Sequence, residues 1–172
     1  GKRGANLISE MAQGVSSGFS QKQAGSWLAK ARLLVEEIPN LRSQAIEARR
    51  YARWSPLAHV DEAESLYIQG VAIEHMVVDI RSMARTLFDA SLDPNRKNII
   101  DSQISKALAA TSNAITKKID LVQSNSRVKQ IDTIAKDLRR AADDFTEEIV
   151  KMVDVLPRTQ FVRCIALVDN IK

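Results

Sequence analysis

The chain has 172 residues, of which 45% are hydrophobic and 27% charged, and this balance excludes an intrinsically disordered protein. Six glycines, four prolines and an aromatic content of 5% leave few turns, which argues against sandwiches and barrels and favours a few long elements. The net charge of +4 does not separate a nucleic-acid-binding protein from an ordinary helical bundle, and the single Cys164 excludes an internal disulfide.

The first half of the chain predicts a short helix followed by a long one. Residues 5–19 form a short amphipathic segment that Gly14 and Gly18 weaken, and Ser20 is the N-cap of a helix from about 21 to 54. Pro39 falls inside this helix, but the apolar spacing keeps its phase across it, so we expect a kink rather than a reversal. The apolar seam of the long helix consists of Trp27, Ala31, Leu34, Ile38, Leu41, Ala45, Ala48 and Ala52.

Two further long helices follow. Ser55-Pro56 ends the preceding helix, and the next covers about 57–91, with Gly70 at a point where another helix could approach closely. Asp93 is the predicted N-cap and Pro94 the first residue of a helix from about 94 to 123. The seam of the first is Leu66, Ile73, Val77, Ile80, Ala84 and Leu87, and that of the second is Ile100, Ile104, Leu108, Thr111, Ile115, Ile119 and Val122.

The strongest helical pattern covers residues 128–156. Its apolar positions are three and four apart, with polar residues between them: Val128, Ile131, Ala135, Leu138, Ala142, Phe145, Ile149, Met152 and Leu156. So narrow a stripe is stable only against a neighbouring helix. A last, shorter helix covers 158–172. Because the connections are short, the sequence predicts a single all-α domain over 1–172, an antiparallel up-down bundle of four long helices with short N- and C-terminal helices.

No catalytic, cofactor or metal motif is apparent, so we expect a protein that is not an enzyme and has no cofactor. The two histidines, His59 and His75, both lie on the helix predicted over about 57–91, and the His75–Asp79 pair is interpreted as a solvated or locally hydrogen-bonded pair. A run of about 18 apolar residues, which a membrane span needs, is missing. The start Gly1–Gly4 lacks the apolar stretch of a signal peptide.

Two groups of polar residues are candidate sites. Glu74, His75, Arg81 and Arg85 lie on one predicted helix, either as a solvated flank with ion pairs or as a polar cluster that lines a pocket. Glu74 could pair with Arg81 or with a base on another helix, for example Arg49 or Arg53.

The second group is a basic face formed by Arg42, Arg49, Arg50 and Arg53. It could contact a membrane or a partner, with anionic lipid headgroups as one candidate, or it could be a solvated helix face. We interpret the aromatic residues as not interleaved with these bases, which makes nucleic acid an unlikely partner.

Three segments resemble a known family. Trp27–Pro39, with Ala48–Arg50 and Arg53–Pro56 after it, resembles the cytoplasmic helical part of actinobacterial fusaric-acid-resistance-like (FUSC) proteins of the aromatic acid exporter family. Ile73–Arg85 and Phe161–Asn170 are similar to later helices of the same domain.

The resemblance implies a soluble domain on the cytoplasmic side of the inner membrane, with its own transmembrane domain as partner and a tendency to form homo-oligomers. It implies an assembly or regulatory role in export of small organic acids. Trp27 and Trp54 are then expected to be anchors, together with the seam residues Leu34, Ile38, Leu41, Leu138 and Phe145. Two alternatives stay open: a free-standing helical adaptor that binds protein partners, and an enzyme or receptor that uses the group around Glu74.

Overall fold

A computed structural model describes residues 1–54, 60–94, 98, 101–123, 129–151, 154 and 156–171. Within these ranges the chain is helical and contains no strand, which confirms the predicted fold class. No helix among them is long and apolar enough to cross a bilayer. The helices are α1 (Lys2–Ser17), α2 (Gln21–Glu36), α3 (Ile38–Trp54), α4 (Val60–Ser91), α5 (Asp101–Gln123), α6 (Lys129–Lys151) and α7 (Arg158–Ile171).

The N-terminal helix α1 packs one face into the core, against α5, α2 and α4. Ile8 and Met11 are fully buried. The Ser112 hydroxyl of α5 donates to the carbonyl oxygen of Ala5 at 2.9 Å, and Ser105 donates to Ala12 at 2.8 Å, so α5 runs antiparallel to α1. The predicted short amphipathic N-terminal helix is therefore confirmed, and its buried glycines Gly4 and Gly14 let neighbouring side chains approach closely.

The second helix begins and bends where the sequence predicts. Gln23 N–H donates to the Ser20 hydroxyl and the Ser20 N–H donates to the Gln23 side chain, which forms a capping box. Glu37, in right-handed helical conformation, separates α2 from α3. Pro39 comes two residues later and has no N–H to continue the hydrogen-bond ladder. The predicted long helix is therefore two helices.

Both α2 and α3 pack along α4 in one direction, which confirms a kink rather than a reversal. A Cβ placed on Gly25 of α2 would lie 3.6 Å from the aromatic ring of Phe88 on α4. A Cβ placed on Gly70 of α4 would lie 3.5 Å from the Cβ of Ala45 on α3. As the residue number rises along α2 and α3, it falls along α4, so these elements form one antiparallel hairpin. Gly70 marks a close helix contact, as predicted.

The helix predicted from residue 94 is described from Asp101 onward, because residues 95–97, 99 and 100 lie outside the described part of the chain. Asp93 is not its N-cap. Its N–H donates to the carbonyl oxygen of Ala90, which closes the end of α4, and its carboxylate accepts a 2.9 Å hydrogen bond from Arg163 of α7. This long-range ion pair, which a local capping rule cannot include, explains the different role of Asp93.

The seams of α4, α5 and α6 build the core together with α1 and α7. Ile80, Leu108 and Ile149 are fully buried, and Phe145 and Leu156 nearly so, although α6 ends at Lys151 rather than at Leu156. Six predicted seam residues of α4 and α6 have side chains outside the described part of the chain: Leu66, Val128, Ile131, Ala135, Leu138 and Met152. Ile100 and Val122 of the α5 seam are outside it as well.

Beyond the core, α3 and residues 60–75 of α4 form a two-helix extension, which we call the arm. Among the described side chains of the arm, only Ala52 and Ala63 are buried. The predicted seam residue Leu41 is 40% exposed and Trp54 is 83% exposed. The apolar spacing on α3 thus identifies the side that faces α4, but α4 is a single narrow neighbour and cannot cover larger side chains.

Candidate functional site

The predicted cluster around Glu74 does not form a pocket. The Glu74 carboxylate faces α3 and lies 3.9 Å from the Arg42 guanidinium, so it pairs with a base of another helix, one of the two predicted alternatives, although that base is Arg42 rather than Arg49 or Arg53. The Nε of Arg85 donates to both carboxylate oxygens of Asp89, each at 2.9 Å. His75 and Arg81 are exposed. The four side chains therefore form a flank with ion pairs rather than a converging site.

The remaining candidate from this helix is the His75–Asp79 pair. Partial burial raises the pKa of the Asp79 carboxyl, and the nearby charge of His75 acts in the opposite direction. The described residues contain no group of three or more histidine, cysteine or carboxylate side chains placed to hold a metal ion. His59 lies outside the described residues.

The predicted basic face lines a cleft at the end of the arm. This arm-tip cleft has a volume of about 400 Å³. Its lining residues come from α3 and, at one position, from α4: Ile46, Arg49, Arg50, Arg53, Trp54 and Tyr67. The structure thus brings three of the four predicted arginines together, while Arg42 lies further along α3 beside Glu74.

Arg49 is the best-anchored arginine of the cleft. Its Nε lies 2.6 Å from a carboxylate oxygen of Glu64, and its guanidinium carbon lies 4.8 Å above the Tyr67 ring. That arrangement combines an ion pair with a cation–π contact. The buried Nε has no well-directed hydrogen bond, because the short approach of Glu64 is at an unfavourable angle. The charge of Arg49 is therefore largely matched within the protein.

Arg50 and Arg53 differ from Arg49 because both are exposed. Among the described side chains, neither has a carboxylate within ion-pair distance. Tyr51 and Trp54, 75% and 83% exposed, alternate with these bases on the last turns of α3. The interpretation that aromatic residues do not interleave with the bases is therefore wrong for this segment.

A second cleft of about 270 Å³ opens between α2 and α4 on the core side of the arm. Its lining residues are Leu28, Arg32, Val78, Arg81, Ser82, Arg85 and Thr86. Arg81 and Arg85, predicted to accompany Glu74, thus accompany Arg32 of α2. Sequence spacing on α4 alone could not identify Arg32, because its proximity depends on the pairing of the two helices.

Both clefts open on the same flank of α4. Tyr67, Glu74, Arg81 and Arg85 are separated by seven, seven and four residues, and such spacings return a side chain to one face of a helix. Tyr67 lines the arm-tip cleft, and Arg81 and Arg85 line the other. The pair Arg42–Glu74 lies between them. We call this continuous surface the arginine flank.

A comparison of the chain with protein-family models, with curated proteins and with solved structures finds no match.

Proposed function

We propose that this chain is a helical domain of a FUSC-like inner-membrane transporter that serves in assembly or regulation and has no catalytic activity of its own. The resemblance supports the proposal. Two of the segments that carry it, Trp27–Pro39 and Ile73–Arg85, lie opposite each other on α2 and α4. Ala48–Arg50 and the start of the next segment, at Arg53 and Trp54, lie at the end of the arm.

The observation that carries the proposal is the exposure of large apolar side chains on the arm. The exposed fractions on α3 and α4 are 40% for Leu41, 50% for Ile46, 75% for Tyr51, 83% for Trp54 and 60% for Ile68. Large apolar side chains that are grouped on one projecting element mark an interaction surface more often than an ordinary surface. A docking arm of this kind suits a domain that couples to its own transmembrane part or to a sister subunit.

The polar side chains of the arm support a mechanical role. Arg42 and Glu74 approach each other across the two helices, and so do Arg49 and Glu64. These pairs fix the register of α3 against α4. They engage the carboxylates of Glu64 and Glu74 in contacts between the two helices.

Immunoblotting of source cells with an antibody against this domain tests the proposal. We expect a membrane-fraction product clearly larger than the 19.1 kDa of this chain, which resists extraction with alkaline carbonate. The recombinant chain is the size control. A soluble product that migrates with the recombinant chain would show that the domain is not part of a membrane transporter.

A free-standing adaptor is the second candidate, and the same exposed arm residues favour it. In that case, the soluble product self-associates or holds a partner through the arm. Light scattering of the purified chain then gives a mass above 19.1 kDa. The mass falls for Ile68→Ser on the arm but not for Leu33→Ser, a comparably exposed position on α2. A strictly monomeric chain without a stable partner would count against this candidate.

A further inference from the structure

We infer that the arginine flank is a docking surface for an anionic phospholipid bilayer. The surface follows the α2–α3/α4 hairpin from Arg32 to Arg53, and at 1.5 Å per helical residue it is roughly 30 Å long. Lipid binding by the isolated domain goes beyond the proposed function, because it requires no attached transporter.

The charge balance of the flank favours an anionic partner. Its described guanidinium groups belong to Arg32, Arg42, Arg49, Arg50, Arg53, Arg81 and Arg85. The carboxylates paired with them are Glu64, Glu74 and Asp89. Three of seven arginines are therefore matched among these groups: Arg42 and Arg49 pair across α3 and α4, and Arg85 pairs within α4. Arg32, Arg50, Arg53 and Arg81 have no paired carboxylate among the described side chains and are available to an external anion.

The apolar members of both clefts favour a bilayer over a nucleic acid. Ile46 and Trp54 project at the arm tip, and Val78, 50% exposed, projects at the other cleft. At a bilayer, arginines meet the headgroups while aliphatic and indole side chains enter the headgroup–acyl boundary. A nucleic-acid backbone offers no such apolar layer. In addition, the Tyr67 face is already covered by Arg49 and is closed to base stacking.

Vesicle binding by the purified chain tests the inference. The probe is large unilamellar vesicles of phosphatidylcholine with phosphatidylglycerol, and pure phosphatidylcholine vesicles are the reference. Trp54 is the optical reporter, because it is exposed while Trp27 is 6% exposed and already in an apolar site. We expect a blue shift of tryptophan emission and co-sedimentation with the anionic vesicles only, both weakened by added salt.

The matched variants are Arg50→Gln/Arg53→Gln on the flank and Arg139→Gln/Arg140→Gln on α6, which are likewise exposed. Both pairs remove the same formal charge. Each arginine near an anionic surface strengthens binding roughly fivefold, so the flank variant should lose roughly 30-fold in partition coefficient while the α6 variant stays within a few-fold of wild type. Circular dichroism checks that both variants are folded.

Three results would overturn the inference: equal binding to neutral and anionic vesicles, equal losses for the two double variants, or an unshifted Trp54 emission. A short oligonucleotide that binds the chain and displaces it from vesicles through Arg50 and Arg53 would assign the flank to nucleic acid instead. Failure with vesicles leaves the transporter proposal intact, because the immunoblot does not depend on lipid binding.

Discussion

The close packing of Gly14 against Trp27 gives the sharpest test of the core. A Cβ added at Gly14 would lie less than 3.0 Å from two ring atoms of Trp27, a separation that real Cβ atoms essentially never show. The indole cannot easily retreat. It is 6% exposed, and its ring packs on Phe19 with centroids 5.4 Å apart. We therefore expect Gly14→Ala to destabilise the protein, although alanine is the better helix former.

The magnitude follows from two opposing effects. Replacing glycine with alanine in a helix contributes up to about 1 kcal/mol. Overpacking a close-packed core costs about 1–3 kcal/mol, and a rigid indole that must move as a unit places Gly14→Ala in the upper part of that range. The net loss is about 1–2 kcal/mol. For a chain of this size, the loss lowers the melting temperature by roughly 2–8 °C.

Gly25→Ala is the matched control, because a Cβ there would lie 3.6 Å from Phe88, an ordinary van der Waals contact. We expect this variant to be stabilised by up to about 1 kcal/mol. Urea denaturation followed by circular dichroism compares the two. In a Trp27→Phe background, which shortens the ring, Gly14→Ala should cost clearly less. If Gly14→Ala is as stable as Gly25→Ala, the close packing of α1 on α2 is refuted.

Three further predictions concern the ends and the arm of the bundle. Asp93→Ala should cost about 1–3 kcal/mol in urea denaturation, because it leaves the half-buried Arg163 without its 2.9 Å partner. Burial first, and the charge of Asp101 second, raise the pKa of the Cys164 thiol from 9.0 to about 12, so the folded protein keeps a proton that the unfolded chain loses. Its contribution to stability should be constant below pH 9 and decline between pH 9 and 12. Amide hydrogens of α3 should exchange faster than those of α1, because α3 buries little apolar surface.

Each of these predictions has a control within the chain. Arg85→Ala removes an exposed i,i+4 ion pair and should cost under about 0.5 kcal/mol, so an equal loss for Asp93→Ala would contradict the first. The decline in stability between pH 9 and 12 should be smaller for Cys164→Ala than for the wild type. Curves of stability against pH that run parallel for the two proteins would contradict the second prediction. In hydrogen exchange, α2 should resemble α1; equal protection of α2 and α3 would contradict the third.

The fold could be predicted largely from apolar spacing, because that spacing specifies which side of a helix is buried. Trp27, Ile80 and Phe145, all on predicted seams, are buried. The spacing does not specify how much of that side is covered by neighbouring helices, and Leu41 is exposed for this reason. Nor does it reveal long-range packing. Gly14 weakens α1 as an isolated segment but provides the space for a ring from another helix.

The sequence predicts which arginines of the flank share a face of α3 and which share a face of α4, but not that the two faces lie together. Spacing along the chain places Arg49 and Arg53 on one face of α3, and Arg81 and Arg85 on one face of α4. That these faces belong to one surface depends on the antiparallel register of α3 and α4, which the Arg42–Glu74 pair reports but no local pattern contains. The alternation of Tyr51 and Trp54 with the bases, by contrast, is a local signal that the sequence of α3 contains.

The composition of the arm connects its weak packing with its use as a docking element. Its two helices approach each other at Ala45 and Gly70, and its buried side chains among the described ones are Ala52 and Ala63, so α3 and α4 lie close together but bury little apolar surface. Its outer face exposes Tyr51 and Trp54. Aromatic side chains of this size bury roughly 150–250 Å² each when covered, which is worth roughly 4–6 kcal/mol at about 25 cal/mol per Å². A surface that covers these side chains therefore adds apolar burial that α3 and α4 do not supply to each other. Binding and ordering of the arm are coupled for that reason, and each should strengthen the other.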